Sequence, residues 1–264
     1  MTYKLALELT PLVDCGSGII CRVMADVFWP TDAGPWPVIV ILPGGPLPLG
    51  GRANYSGFAQ MLAGQGAVVY VADYRSSPEY GGGWPETFGD VACAVRYARA
   101  TAATYGGDGR RITLVAHSFG GFPGGVVALS PTGFGSEQTT CQTPTGSGSP
   151  EAFVGVAGVY TFDAIQETFL EEFIGGSRDA VPDAWDAADL LKLAQAPDAR
   201  DIPVRLVAGT GDLAAPVERA SALAAALAAA GRDVRFIPIA GADHVTIMGN
   251  AKTLATILEV ARPP

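Results

Sequence analysis

Residues 111–121 read Arg-Ile-Thr-Leu-Val-Ala-His-Ser-Phe-Gly-Gly, and they constrain the chain more than any other stretch. Ile112 to Ala116 is a short apolar, β-branched run, the pattern of a buried strand. Gly120, Gly121, Gly124 and Gly125 crowd the next segment, and residues 124–129 read as helix. Ser118 therefore falls at a sharp strand-to-helix turn, which exposes a hydroxyl at the end of a sheet. The usual spelling of such a nucleophile elbow is G-x-S-x-G, and here it is Ala116-His-Ser-Phe-Gly120. Small residues are needed on both sides because the neighbouring backbone passes close to the turn. Alanine in place of the first glycine is the mildest departure.

The rest of the chain supplies a fold around that turn. Residues 3–9 and 19–29 alternate apolar and polar side chains, as antiparallel strands at a sheet edge do. Residues 38–42, 67–72, 112–116, 153–159, 204–208 and 234–239 are further strands, most of them continuous apolar runs, as in strands covered on both faces. Between them lie helical patterns at 55–64, 86–105, 216–230 and 246–260. Pro85 and Gly106 bracket the second helix, and Pro216 and Gly231 the third. Strands alternating with helices predict an α/β fold with a mostly parallel, doubly wound sheet. No linker divides residues 1–264, so one domain is expected, with helices inserted at 160–200 as a small cap over the site. Residues 131–150, rich in Gly, Ser, Thr and Pro, read as a long surface loop near the site entrance.

A net charge of −9 disfavours a nucleic-acid partner, whose footprint is basic. No apolar run approaches the roughly 18 residues of a membrane span. The N-terminal residues interrupt their apolar pattern with charge, unlike a signal peptide, so a cytoplasmic protein is expected. Cys15, Cys21, Cys93 and Cys141 form no C-x-x-C pair and are expected to be free thiols, although Cys15 and Cys21 flank a turn that would bring them face to face. With two histidines in the chain, neither a metal nor an organic cofactor is implied.

A serine hydroxyl needs a base within hydrogen-bond reach, and the base needs an orienting partner. His117 adjoins Ser118, but neighbouring side chains at such a turn point apart, so His117 is expected to pack beside the elbow. His244 lies in the small-residue loop 240–245, after a strand and before the last helix, and is the remaining candidate base. For the acid, Asp212 closes the strand-loop 204–212. Its rivals are Asp243, adjacent to His244, and Asp163 and Asp73, which also follow strands. Asp73 reads better as a partner of Arg75 or of its own turn. The order Ser118, Asp212, His244 is one of three known orders for this chemistry, with room between the last two for one helix, one strand and two loops.

These residues, with Asp73-Tyr-Arg-x-x-Pro78, Tyr105 to Gly121, Gly209-Thr-Gly-Asp212 and Gly241-Ala-Asp-His244, resemble the α/β-hydrolase superfamily. Within it the chain is similar to the carboxylesterase group related to hormone-sensitive lipase and to bacterial feruloyl-esterase-like enzymes, over residues 36–262. The resemblance implies a catalytic triad of Ser118, Asp212 and His244, and a small-molecule ester as substrate. It implies an oxyanion hole from the backbone N–H groups of Gly45 and Phe119, with Gly44 as a further donor. The family's oxyanion loop is His-Gly-Gly-Gly, whereas this chain has Pro43-Gly-Gly-Pro46. The histidine anchor is missing, and Pro46 has no N–H to donate. An amidase, an arylformamidase or an acyltransferase would use the same triad. A non-catalytic ligand-binding protein on the same fold is the alternative from another class. Oligomeric state is not legible.

Overall fold

The computed structural model describes residues 2–10, 13–14, 20–45, 51–135, 141–143 and 145–262, excluding the side chains of residues 3, 13, 14, 20 and 21. In chain order the strands are β1 (Thr2–Glu8), β2 (Val13–Asp14), β3 (Ile20–Cys21), β4 (Met24–Pro30), β5 (Trp36–Leu42), β6 (Val68–Ala72), β7 (Gly107–His117), β8 (Ala152–Val156), β9 (Val204–Gly209) and β10 (Val234–Ile239). The helices are α1 (Ser56–Ala63), α2 (Glu86–Thr101), α3 (Gly121–Leu129), α4 (Glu167–Ile174), α5 (Pro182–Ala188), α6 (Leu190–Gln195), α7 (Val217–Ala229) and α8 (Ala251–Ala261).

Eight strands form one sheet in the order β1-β4-β6-β5-β7-β8-β9-β10. β1 and β4 run antiparallel at one edge, and β6 through β10 are mutually parallel. The strand period of two divides the core cleanly. Val38, Val40 and Leu42 of β5 face the layer built from α2, α3, α6 and α7, while Ile39 and Ile41 face α1 and α8. Both faces are covered, which is why these strands read as unbroken apolar runs. This is the α/β-hydrolase fold.

Element bounds differ from the sequence expectation where local chemistry intervenes. The helix expected over 86–105 stops at Thr101 and tightens into a 3-10 turn through Tyr105. The last helix begins at residue 251 because the Asn250 side chain accepts from the Lys252 N–H and caps it. The strand expected to reach Val159 ends at Val156, followed by Ala157 at φ +47°.

One expectation is corrected. Cys93 and Cys141 are joined in a disulfide and are not free thiols. Their separation of 48 residues hid the pairing, which accompanies the packing of Phe134 and Cys141 on α2. There Phe134 packs on Trp84 and Phe88, and Arg96 donates to the Phe134 carbonyl. The face-to-face placement of Cys15 and Cys21 lies outside the described residues. Asp73, read as a partner of Arg75 or of its own turn, is ion-paired with Arg52, which also reaches Asp26 at 3.2 Å. Arg75 makes a two-pronged contact with the fully buried Asp90, at 2.8 and 2.9 Å, and Asp90 also accepts from the Arg75 backbone N–H.

Removing one member of a buried ion pair costs more than the pair contributes. Asp90→Asn should lower the free energy of unfolding by about 3–5 kcal/mol. Urea titration measures this, and a loss below about 1 kcal/mol would show that the pair does not hold the turn after β6. Peptide mapping without reductant should recover Cys93 and Cys141 in one linked fragment. Separate alkylated peptides would overturn the disulfide.

Candidate active site

The parallel register brings the relevant strand ends to one edge of the sheet. Leu42 pairs with Ala116, Ala116 with Gly155, Val156 with Val207, and Ile239 with Gly209. Residues just past the C-terminal ends of β5, β7, β9 and β10 therefore converge, as ligand sites do in such sheets. From β7 comes Ser118, at φ +54°, a left-handed conformation that non-glycine residues rarely adopt. Alanine at 116 is accommodated by the helix behind it. A Cβ at Gly124 would stand 3.0 Å from the Ala116 Cβ, so the glycine missing from the motif reappears one turn into α3.

The three residues expected to form the triad meet. Ser118 Oγ is 2.9 Å from His244 Nε2, and His244 Nδ1 is 2.8 Å from Asp212 Oδ2. The other carboxylate oxygen of Asp212 accepts from the backbone N–H groups of Ala214 and Ala215, at 2.8 Å each. The Asp212 carboxylate is thus buried with its acceptors occupied and its orientation fixed. The rival acids stand elsewhere. Asp243 caps its own turn through the N–H groups of Val245 and Thr246, and Asp163 is exposed in the segment before α4.

His117 packs beside the elbow, as its position predicted, with both ring nitrogens engaged. Its Nε2 lies 2.9 Å from the His244 carbonyl, and its Nδ1 lies 2.7 Å from the Tyr55 hydroxyl. That hydroxyl also accepts from the Gly44 N–H at 2.6 Å. Gly44, expected as a third oxyanion donor, therefore has its N–H turned to Tyr55. Gly44 still needs to lack a side chain, since a Cβ there would sit 2.7 Å from the Ser118 Cβ. Tyr74 donates to the Pro43 carbonyl at 2.8 Å, so two tyrosine hydroxyls hold the loop whose histidine anchor is missing. Gly45 lines the cavity beside Ser118, and Phe119 lies in the first turn after the elbow, where N–H groups have no intrahelical acceptor. Pro46 lies outside the described residues.

A cavity of about 560 Å³ opens at Ser118. Its apolar walls are Tyr55, Phe58 and Met61 on one side and Val245 and Met248 on the other. Among its described lining residues none is a carboxylate, lysine or arginine. Tyr55 and Phe58 are the tyrosine and phenylalanine that line it. Phe119 and Phe122 pack away from it, against Phe162, Phe169 and Phe173. No described residue of 131–150 or of 160–200 lines it. Phe58, Met61, Val245 and Met248 went unremarked in the sequence. The signals available were the helix that opens behind Tyr55 and the residue adjoining His244.

A family model described as BD-FAE matches residues 25–227. The chain belongs to that family. It is 31% identical over 242 residues to the esterase LipC of Mycobacterium tuberculosis, covering 86% of this chain and 57% of LipC. It is 36% identical over 104 residues to the carboxylesterase NlhH of the same species, covering 39% of this chain and 32% of NlhH. The chain thus spans little more than half of the first relative's length. Among solved structures, the thermophilic esterase 2 of Thermogutta terrifontis matches with a TM-score of 0.70 at 23% identity, covering 96% of this chain and 91% of that one. A truncated carbohydrate esterase from gut microbiota matches with a TM-score of 0.72 at 18% identity, covering 97% and 95%. These likenesses establish the α/β-hydrolase fold for this BD-FAE family member.

Burial pulls the His117 imidazolium down to about pKa 4. The groups facing it are the Tyr55 hydroxyl, the His244 ring at 4.8 Å and, more distantly, the Asp212 carboxylate. Because the folded value lies below the ordinary 6.5, the unfolded chain takes up the proton first. The stability from neutral His117 is complete above about pH 6.5 and is lost as pH falls through about 4. The loss is on the order of 3 kcal/mol at full extent. His117→Gln should flatten this part of the acid limb of the unfolding free energy, while the limb due to carboxylates stays. Equal slopes in the two proteins between pH 6.5 and 4 would refute the assignment.

Proposed function

We propose that the chain is a serine hydrolase that cleaves carboxylic esters of neutral small molecules. The carrying observation is the continuous hydrogen-bonded path from Ser118 through His244 to Asp212, at the mouth of an uncharged apolar cavity. In this reading Ser118 Oγ attacks the ester carbonyl while its proton passes to His244 Nε2, and Asp212 stabilises the imidazolium that forms. The N–H groups of Gly45 and Phe119 face the oxyanion. His244 then protonates the leaving alcohol, and the acyl group remains on Ser118. Water attacks the acyl-enzyme with His244 as base, releasing the acid and restoring the serine. The esterase relatives and the family support the same reading. Amide hydrolysis or acyl transfer would differ only in the group that leaves or the nucleophile that arrives.

Two coarser features enter with it. We read residues 1–264 as a single domain in which the 160–200 segment braces the back of the elbow through the Phe119 and Phe122 contacts. No helix among the described residues is long and apolar enough to cross a membrane. The cytoplasmic expectation rested on the charge-interrupted N-terminal pattern, and free thiols were expected with it. The buried Cys93–Cys141 bond favours folding in an oxidising compartment instead.

Hydrolysis of p-nitrophenyl acetate, butyrate and octanoate tests the reading, with fluorophosphonate labelling alongside. The wild type should turn over and label at Ser118. Ser118→Ala should lose about 10⁶-fold in kcat, to background, and should not label. Asp212→Asn should lose about 10⁴-fold. A wild type that labels without cleaving esters would move the substrate class to amides or acyl acceptors. One that does neither would leave a ligand-binding protein.

A further inference from the structure

Three loops meet at one pair of side chains. The Gly44 N–H donates to the Tyr55 hydroxyl at 2.6 Å, and Tyr55 reaches His117 Nδ1 at 2.7 Å. His117 Nε2 reaches the His244 carbonyl at 2.9 Å. The donor directions are dictated by chemistry. A carbonyl oxygen can only accept, so His117 carries its proton on Nε2. Its Nδ1, in the neutral ring, must accept, so the tyrosine hydroxyl donates there. That leaves a tyrosine oxygen lone pair for the Gly44 N–H. Every member has one role and one partner for it, so the path has a single sense from Gly44 to His244. The rings pack as well as bond: Tyr55 lies edge-on to His117, whose ring centre is 4.8 Å from that of His244.

We propose that Tyr55 and His117 are positioning residues that hold the Gly44-Gly45 loop and the His244 loop at a fixed separation across Ser118. Neither needs to touch the reacting atoms. Tyr55 draws the Gly44 peptide toward α1, which orients the following peptide and with it the Gly45 N–H. His117 holds the backbone of the residue whose side chain is the base. The strut thus couples where the oxyanion is received to where the proton is taken. This proposal rests on the hydrolase reading.

A displacement of about 1 Å at such a site can cost roughly 10²-fold in rate. Tyr55→Phe keeps the ring and loses the hydroxyl. Its kcat on p-nitrophenyl butyrate should fall by about 10–10²-fold, with KM within about threefold, because misalignment acts on the transition state more than on apolar substrate binding. Fluorophosphonate labelling of Ser118 should slow in step, since it needs the same alignment. His117→Phe should behave alike. His117→Gln, whose amide N–H can reach the His244 carbonyl, should recover most of the lost kcat. All variants are assayed at 25 °C after circular dichroism confirms the fold. Unchanged kcat in a folded Tyr55→Phe, beside an active wild type and an inert Ser118→Ala, would overturn this proposal alone. A lowered Tm with unchanged kcat would do the same, reducing the strut to a stability element. A wild type that neither hydrolyses nor labels removes the hydrolase reading and this proposal with it.

Discussion

A residue with a Cβ held at positive φ is disfavoured by roughly 1–2 kcal/mol, and Ser118 is held there. Such a conformation persists only where the surroundings over-determine it. On one side the Ser118 carbonyl accepts from the Val159 N–H at 2.9 Å. On another the loop after β5 lies against the Ser118 Cβ, close enough that residue 44 must be glycine. Behind it Gly124 yields to the Ala116 methyl. Each support comes from a different strand connection, and each can reach Ser118 only because β5, β7 and β8 are parallel and in this register. The strained serine and the sheet topology are two descriptions of one constraint.

The two histidines lie side by side in different surroundings. Pairs of titratable groups whose environments diverge divide the chemical roles between them. His117 is almost wholly enclosed, between a hydroxyl and a carbonyl, and is kept neutral. His244 opens onto the cavity and faces a buried carboxylate. A protonated His117 could not accept from Tyr55, so its neutrality is also the condition for the loop path through Gly44.

Much of the fold was legible because its signals are local. Buried parallel strands such as β6 and β8 are bare apolar runs, and Pro85 or Pro216 marks a helix start without reference to the rest of the chain. The Ser118, Asp212 and His244 arrangement was legible for another reason: two histidines left little to choose between, and strand ends limited the acids. What stayed hidden depends on contacts across long stretches of sequence. Cys93 and Cys141 meet only after a glycine- and proline-rich segment folds back, and its composition does not say where it lands. Asp73 also pairs with Arg52, which is distant from it in sequence and stands after β5. Tyr55 looked like one aromatic among many, because nothing at position 55 announces a hydroxyl aimed at position 117.

The departure of the Pro43-Gly44-Gly45 stretch from the His-Gly-Gly-Gly pattern that the resemblance implied has a structural counterpart. In this chain Pro43 stands where the family has histidine, and the loop is anchored from outside by Tyr74 on the Pro43 carbonyl and Tyr55 on the Gly44 N–H. External anchoring lets the loop be shaped by α1 and by the turn after β6 instead of by its own first residue. It also engages the Gly44 N–H, leaving Gly45 and Phe119 as the proposed donors to the oxyanion. Phe58 and Met61, which form one apolar wall of the cavity, belong to α1, and Tyr55 immediately precedes that helix, so this wall and the loop anchor share one support. A change in α1 that widens the space around Phe58 or Met61 would therefore shift the Tyr55 hydroxyl as well. On the proposed reactivity, the shape of this wall and the alignment of the Gly44-Gly45 loop are mechanically tied. The 160–200 helices, packed on the far side of Phe119, stand outside that linkage.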